Sequence, residues 1–306
     1  MSTHSSPADG PPDDILLRFW LEVSGVRGVL VRLTQTWQAV RERAAYPPSV
    51  AACLGQTLAA TALMTGHAKI DGRLSVQMRG TGALRSLFAE CTRDGSLRGL
   101  ASFAEPLPEP LGPRAFGDGS LLAITIETIA STDREGTRYQ GLVGLDADTL
   151  AEAFEGYFDQ SEQLPTRMLL AADAVHAVGL MLQKLPGEDA DADGWPRAVA
   201  CFQTLGSAEL LATPPQALLY RLFHEDGVRI RDLRGLRFGC SCSHARVADM
   251  LRSLGRAEAL AAADEHIPPV AQVSCQFCGK TYALDRHEIL GLFAQPPTAC
   301  GPATLQ

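Results

Sequence analysis

The sequence predicts an α+β fold, with an N-terminal mixed sheet-and-helix domain, a helical linker and a small C-terminal domain. Strand-like and helix-like segments follow one another without the regular alternation of a parallel α/β fold. Hydrophobic residues make up 46 % of the 306 residues, which supports a sizeable core. An acidic, glycine-containing run at 187–194 then separates this core from a region of short helices.

Composition divides the chain into four predicted segments. Residues 1–14 are rich in proline and polar side chains and are expected to form a disordered leader. Residues 15–187 form the predicted core domain, residues 188–238 the helical linker and residues 239–306 the C-terminal domain.

Four segments of the core domain have the pattern of β-strands. The run at 74–79 alternates apolar and polar residues, as a half-buried strand does. Three further runs are rich in valine, leucine and isoleucine, at 29–33, 121–126 and 139–145.

Three segments of the same domain are predicted to be helical. The alanine- and leucine-rich run at 49–64 follows Pro47 and Pro48, which favour a helix start. The run 171–185, just before Pro186, is predicted to be another helix. After Asp148, apolar residues recur at helical spacing, namely Leu150, Ala153, Phe154, Tyr157 and Phe158.

The linker is predicted to contain short helices that need tertiary packing to persist. One of them begins with Thr213 as N-cap and Pro214 as the first residue, and Gly227 can end it. Four side chains form its apolar face, and we expect them to be docked in one state and to bind a partner in another: Leu218, Leu219, Leu222 and Phe223.

Charge and hydropathy exclude several classes of partner. The net charge is −8 and no long basic run is present, so nucleic acid is not expected as a partner. No apolar run reaches 18 residues, so a membrane span is not expected. The N-terminus lacks the basic and apolar regions of a signal peptide, which favours the cytoplasm, where thiols are kept reduced.

Two closely spaced cysteine pairs near the C-terminus carry the chemistry. Cys240 and Cys242 form a C-x-C pair, and Cys275 and Cys278 form a C-x-x-C pair, with 32 residues between the pairs. This pattern is typical of a closed, four-thiolate zinc site. The segment 239–306 has few large apolar side chains, and domains this small usually need a metal or disulfides for stability.

The spacing alone leaves three interpretations of the pairs open. The site is a static structural zinc site, a zinc site whose thiols also respond to oxidants, or the centre of a thiol–disulfide oxidoreductase. The oxidoreductase is disfavoured because C-x-x-C in such enzymes lies near a βαβ unit. His244 could replace one sulfur, but the four thiols already complete the coordination shell.

The other cysteines are expected to take no part in this chemistry. Cys53, Cys91 and Cys201 are isolated and are expected to behave as small hydrophobic residues. Cys300 lies outside both pairs and is expected to be an exposed bystander.

Several runs resemble the family of the thirty-three-kilodalton bacterial heat-shock protein, a redox-regulated holdase chaperone. The most specific are Tyr-Phe-x-x-Ser-Glu-Gln-Leu-Pro-Thr at 157–166, Gly-Cys-Ser-Cys-Ser at 239–243 and Cys-Gln-Phe-Cys-Gly-Lys at 275–280. Shorter similar runs occur at 46–47, 80–84 and 97–99, and the similarity extends from about residue 15 to about residue 290.

The resemblance implies a mechanism. One zinc ion is held by Cys240, Cys242, Cys275 and Cys278 in the reduced, inactive protein. Oxidants form the disulfides Cys240–Cys242 and Cys275–Cys278, zinc is released, and the C-terminal segment unfolds together with the linker. The exposed apolar surface then binds unfolding or oxidatively damaged client proteins without ATP, and the protein forms a homodimer.

The sequence hypothesis is therefore a non-enzymatic, cytoplasmic chaperone of the stress response. The alternative is a zinc-stabilised binding module with an RNA or ribosomal partner, which the acidic charge disfavours.

Overall fold

The computed structural model describes residues 14–67, 70–128, 136–185 and 191–294. The chain divides into two compact units, Met1–Gly239 and Cys240–Gln306. Of the predicted leader, only Asp14 lies within the described residues, and it is buried. Its carboxylate accepts hydrogen bonds from the Thr36 backbone N–H at 2.7 Å and from the Thr36 hydroxyl at 2.6 Å. Asp14 therefore belongs to the folded unit and not to a disordered leader.

The described part of the first unit contains strands and helices in mixed order. The strands are β1 (Ile15–Leu21), β2 (Val26–Leu33), β3 (Gly72–Arg79), β4 (Leu84–Thr92), β5 (Ser96–Phe103), β6 (Leu121–Thr128), β7 (Arg138–Gly144), β8 (Thr166–Ala172), β9 (Ala177–Lys184), β10 (Val228–Gly235) and β11 (Arg237–Phe238). The helices are α1 (Gln35–Arg41), α2 (Pro48–His67), α3 (Leu150–Tyr157), α4 (Gly194–Gln203), α5 (Ser207–Ala212) and α6 (Pro215–Phe223).

These strands form two sheets. The five-stranded sheet has the order β10-β1-β2-β9-β8 and is antiparallel throughout. The six-stranded sheet has the order β11-β5-β4-β3-β6-β7, and within it only the short strand β11 pairs in parallel, with β5. This arrangement is the mixed α+β architecture that the sequence predicts.

Helix α2 is the centre of the first unit and packs against strands of both sheets. Its buried side chains join those of β2, β3, β4 and α3 in one apolar cluster. By length and composition α2 could span a membrane, but 83 % of its most apolar window is buried inside the protein. Helix α2 is therefore accounted for as the core helix of this unit.

Most of the predicted elements of this unit are present. The four predicted strands correspond to β2, β3, β6 and β7, and two of the predicted helices correspond to α2 and α3. Helix α3 begins with a capping box in which the Thr149 hydroxyl accepts from the Glu152 backbone N–H at 3.2 Å.

The predicted helix at 171–185 is wrong. These residues form the end of β8 and the whole of β9. Seven of the eight residues of β9 are buried because helix α2 covers one face of the sheet and helices of the linker region cover the other. A strand buried on both faces is a continuous apolar run, which periodicity cannot distinguish from a buried helix.

The predicted linker is helical only in its first part. Helices α4, α5 and α6 lie between residues 194 and 223, whereas residues 228–235 extend as β10 along the edge of the five-stranded sheet. The N-cap of α6 is Pro214, one residue later than predicted. The predicted boundary at 187/188 lies outside the described residues.

The second unit is small. It contains helix α7 (His244–Leu254), helix α8 (Arg256–Asp264), a hairpin of β12 (Val270–Ser274) and β13 (Thr281–Asp285), and helix α9 (Arg286–Ala294). The Ser243 hydroxyl caps α7 by accepting from the Arg246 backbone N–H at 3.2 Å, and Gly255 ends that helix with a φ of 91°.

Candidate metal centre

Two local structures position the four thiols. Cys240 and Cys242 lie immediately before helix α7, whose cap at Ser243 fixes where the chain turns into the helix. Cys275 and Cys278 lie in the turn between β12 and β13. There the Cys275 backbone N–H donates to the Lys280 carbonyl at 2.9 Å, and the Gly279 N–H donates to the Cys275 carbonyl at 2.8 Å. Gly279 has a φ of 71°, a left-handed conformation that glycine adopts readily.

The four sulfur atoms converge in one cluster. All of them lie within 4.8 Å of one another. Two close separations join sulfurs of different pairs, 3.6 Å between Cys240 and Cys275 and 3.3 Å between Cys242 and Cys278. Both distances are well beyond the length of a disulfide, about 2.05 Å.

The cluster fits a tetrahedral metal ion. Zinc–sulfur bonds of about 2.3 Å imply sulfur–sulfur separations of roughly 3.8 Å at the corners of a tetrahedron. The observed separations match this spacing, and thiolate is a donor that zinc prefers. Four close cysteines can therefore hold one ion and leave it no open position for a substrate.

Hydrogen bonds and burial give the thiols unequal acidity. The Tyr282 hydroxyl donates to the Cys242 sulfur at 3.1 Å and lowers the pKa of Cys242 to about 7. The same bond raises the pKa of the Tyr282 hydroxyl to about 12. Desolvation raises the pKa of Cys278 to about 12. Binding of a divalent cation would release the protons that remain on these sulfurs.

The remaining candidate ligands lie elsewhere. Within the described ranges, the only grouping of metal-binding side chains that includes these cysteines is the four-thiol cluster itself, and His244 is not part of it. Burial raises the pKa of Cys53 to about 11 and that of Cys91 to about 12, so both thiols stay protonated near neutral pH. Cys201 is half-buried on α4, and Cys300 lies outside the described residues.

The apolar face predicted on the linker is docked. Leu218, Leu219 and Phe223 are each 1 % exposed, and Leu222 is half-buried beside them. They pack against the face of the five-stranded sheet opposite α2, where the rings of Phe223 and Phe19 stack with centroids 6.1 Å apart. Helix α5 is tied to the same sheet because the Arg32 guanidinium donates to the Leu211 carbonyl at 2.9 Å.

Sequence reasoning missed the contribution of Tyr282 to the cluster. Tyr282 alternates with exposed residues along β13, so the pattern identifies an inward-facing ring but not the target of its hydroxyl. Its position two residues after Lys280, in the strand that follows the C-x-x-C turn, was the available signal.

Comparison with known proteins identifies the relatives of this chain. The model of the family described as Hsp33 protein matches residues 14–285. The 33 kDa chaperonin of Pseudomonas syringae pv. tomato is 40 % identical over 293 residues, covering 94 % of this chain and 95 % of the relative. The 33 kDa chaperonin of Nitrosococcus oceani is 39 % identical over 283 residues, covering 92 % and 95 %.

A solved structure has the same fold. The crystal structure of the 33 kDa chaperonin (heat shock protein 33 homolog) from Thermotoga maritima superimposes with a TM-score of 0.78 at 21 % identity. The match covers 92 % of this chain and 98 % of that one.

Proposed function

The chain belongs to the Hsp33 protein family, and from this premise we propose that it is an ATP-independent holdase that thiol oxidation switches on. Its curated relatives are named chaperonins, so its role is that of a chaperone and not of an enzyme. The observation that carries the redox part of the proposal is the convergence of four sulfurs within 4.8 Å in a unit with little other core.

In the reduced state, Cys240, Cys242, Cys275 and Cys278 would hold one zinc ion and thereby stabilise the second unit. Apparent zinc-binding free energies in such small domains are about 10–16 kcal/mol, and this energy is also folding energy. Bound zinc supplies structural cross-linking and no substrate chemistry, because four thiolates fill its coordination shell.

Oxidation would remove the ligands in pairs. A cysteine thiolate attacks hydrogen peroxide, breaks its O–O bond and becomes a sulfenic acid with release of hydroxide. A neighbouring thiol then attacks the sulfenic sulfur, which forms the disulfide and releases water. Each disulfide thus consumes one peroxide and two electrons from two thiols. Oxidised sulfurs no longer hold the metal, so the second unit would lose its stabilisation.

We expect the disulfides Cys240–Cys242 and Cys275–Cys278, although two close sulfur contacts in the folded cluster join members of different pairs. Once the segment unfolds, closing a short loop costs less entropy than closing a long one. The members of each pair are separated by one or two residues, whereas 32 residues separate Cys242 from Cys275. Unfolding before the second oxidation step therefore favours disulfides within each pair.

The client surface would come from the docked linker. Helices α4, α5 and α6 contain 10, 6 and 9 residues, lengths that are marginal without tertiary packing. Their release would expose Leu218, Leu219, Leu222 and Phe223, together with the apolar side chains of the sheet beneath them. Such a surface suits unfolding proteins, whose own apolar side chains are exposed. We further propose that the activated form is a homodimer and that it acts in the cytoplasm.

An aggregation assay with matched redox states tests the proposal. Oxidised, zinc-free protein should suppress the light scattering of a heat-denatured client at near-stoichiometric ratios, and the reduced, zinc-loaded protein should not. Zinc release and loss of free thiols, measured on the same samples, should precede the gain of activity. Equal activity of both forms would refute the redox switch, and RNA binding by the zinc-loaded form would favour the alternative of a zinc-stabilised binding module.

A further inference from the structure

The Tyr282 hydroxyl contributes a hydrogen bond to the thiol cluster. It donates to the Cys242 sulfur at 3.1 Å, and the ring that carries it is only 6 % exposed. The ring belongs to the apolar cluster of the second unit, together with Val247, Leu251 and Leu284. A phenylalanine would fill the same space, so packing accounts for the ring but not for the hydroxyl.

The position of the hydroxyl is fixed by the hairpin. Strand β13 presents Tyr282 and Leu284 to the interior, and Tyr282 lies opposite Val273 on β12. The turn of the same hairpin carries Cys275 and Cys278, and the Lys280 carbonyl accepts a hydrogen bond from the Cys275 backbone N–H at 2.9 Å. One hairpin therefore supplies two of the sulfurs and also a hydrogen bond to a third, which lies at the start of α7.

A cation polarises this phenol. The Lys280 ammonium lies over the Tyr282 ring, with its nitrogen 5.0 Å from the ring centroid. A positive charge on the ring face is attracted to the π electrons and draws electron density from the hydroxyl. The hydroxyl is then a stronger donor to the Cys242 sulfur than an isolated phenol would be.

We propose that Tyr282 is a positioning residue of the thiol cluster, whose hydroxyl holds Cys242 in its ligating orientation and sets how readily the cluster is oxidised. This inference rests on the proposed function of the site. Partners that hydrogen-bond to metal ligands orient them, and their removal typically costs about 10–100-fold in metal affinity. A hydrogen bond to a thiolate also withdraws charge from the sulfur and makes it a weaker nucleophile toward peroxide.

Tyr282→Phe tests the inference, because it removes the hydroxyl and keeps the ring. We expect the zinc dissociation constant, measured by chelator competition, to rise about 10–100-fold. At equal peroxide concentration, zinc release should be faster than in the wild type. Cobalt substitution supplies a readout independent of activity, since a changed orientation of Cys242 alters the thiolate-to-cobalt charge-transfer band.

A second experiment strengthens the hydrogen bond from the Tyr282 hydroxyl instead of removing it, and it needs no change of the encoded sequence. Tyr282 is the only tyrosine in residues 240–306, so biosynthetic replacement by monofluorotyrosine alters the cluster through this residue alone. The fluorinated phenol is the stronger hydrogen-bond donor, and zinc release by peroxide should be slower. Lys280→Met, which removes the cation and keeps the hydroxyl, should shift release in the same direction as Tyr282→Phe but by less.

Unchanged zinc affinity and unchanged release rates in Tyr282→Phe would overturn the inference, as would an absence of effect from fluorination. In that case the hydrogen bond to Cys242 only satisfies the polar hydroxyl of a buried side chain and does not affect the thiol cluster. The proposed function would survive this result if oxidised wild-type protein still suppressed aggregation and reduced protein did not. It would fail separately if the wild type showed no difference between its redox states.

Discussion

The folded structures of the two units are stabilised by different kinds of interaction. The first unit encloses a 20-residue helix between two sheets, and its buried apolar side chains form two large clusters. In the described part of the second unit, the apolar cluster has eight buried members, and three of these are alanines. The four clustered sulfurs belong to half-buried cysteines of the same unit. Apolar burial is insensitive to oxidants, whereas thiolate coordination is not, so in the proposed mechanism an oxidant acts first on the second unit.

Removal of the sulfurs should produce the largest effect, and we expect the greatest loss of structure in the second unit. Replacement of Cys240, Cys242, Cys275 and Cys278 by serine removes zinc binding worth about 10–16 kcal/mol and should unfold α7, α8 and the β12–β13 hairpin. Amide hydrogen exchange measured by mass spectrometry should show loss of protection across residues 240–294, while α2 stays protected. Cys201→Ser is the matched control and should change neither region. If residues 240–294 of the serine variant kept their slow amide exchange, the sulfurs would not be what stabilises the second unit.

The next largest effect concerns helices α4, α5 and α6, the part of the first unit that we propose is released on activation. Phe223→Ala removes a buried ring from the contact between α6 and the five-stranded sheet, which typically costs about 3–5 kcal/mol. We expect faster amide exchange in α4, α5 and α6 and measurable suppression of aggregation by the reduced protein. Tyr220→Ala on the same helix is the control, because Tyr220 is 68 % exposed.

The outcome of this pair of variants locates the client surface. If Phe223→Ala loosens the helices but adds no activity, the docked face is structural and clients bind elsewhere. If Tyr220→Ala is equally active, then exposure of the apolar face is not what the assay detects.

The two units also differ in how far the sequence predicts them. The thiol cluster follows from the spacing of Cys240, Cys242, Cys275 and Cys278, since few arrangements bring two such pairs to one ion. The cap at Ser243 and the turn at Gly279 follow from local residue preferences. Local signals are sufficient for these two features because a helix cap and a tight turn depend on neighbouring residues.

The first unit depends on partners that are distant in the sequence. Strand β9 looks like a helix because both of its faces are buried, and only the sheet neighbours β2 and β8 identify it as a strand. Strand β10 is rich in charged residues between Arg229 and Arg234 and becomes a strand because its backbone pairs with β1. The hydroxyl of Tyr282 was missed for the same reason, since its partner Cys242 is 40 residues away.

The smallest predicted effect is on how folding stability depends on pH. Different titratable groups make the two units sensitive to acid. In the proposed zinc-bound state, protonation of the thiolates would release the metal from the second unit. The first unit has its own acid-sensitive group, His67 at the end of α2. The Arg27 guanidinium donates to His67 Nε2 at 3.0 Å, and the buried Nδ1 has no hydrogen-bond partner among the described atoms. Desolvation, with the charges of Arg27 and Arg18, lowers the pKa of His67 to about 3.

His67→Gln should make the first unit less sensitive to acid, because a glutamine oxygen can accept the Arg27 bond but does not titrate. The unfolded chain protonates His67 below a pKa of about 6.5, and the folded chain does not until about pH 3. The stability that neutral His67 provides is therefore complete above pH 6.5 and is lost as the pH falls toward 3, by at most about 1.4 kcal/mol per pH unit. Urea unfolding followed by fluorescence at pH 7 and pH 5 measures this slope in the first unit, which contains all three tryptophans. Exposed His224→Gln should leave the slope unchanged. Equal slopes for the wild type and His67→Gln would mean that acid destabilises the first unit through other groups.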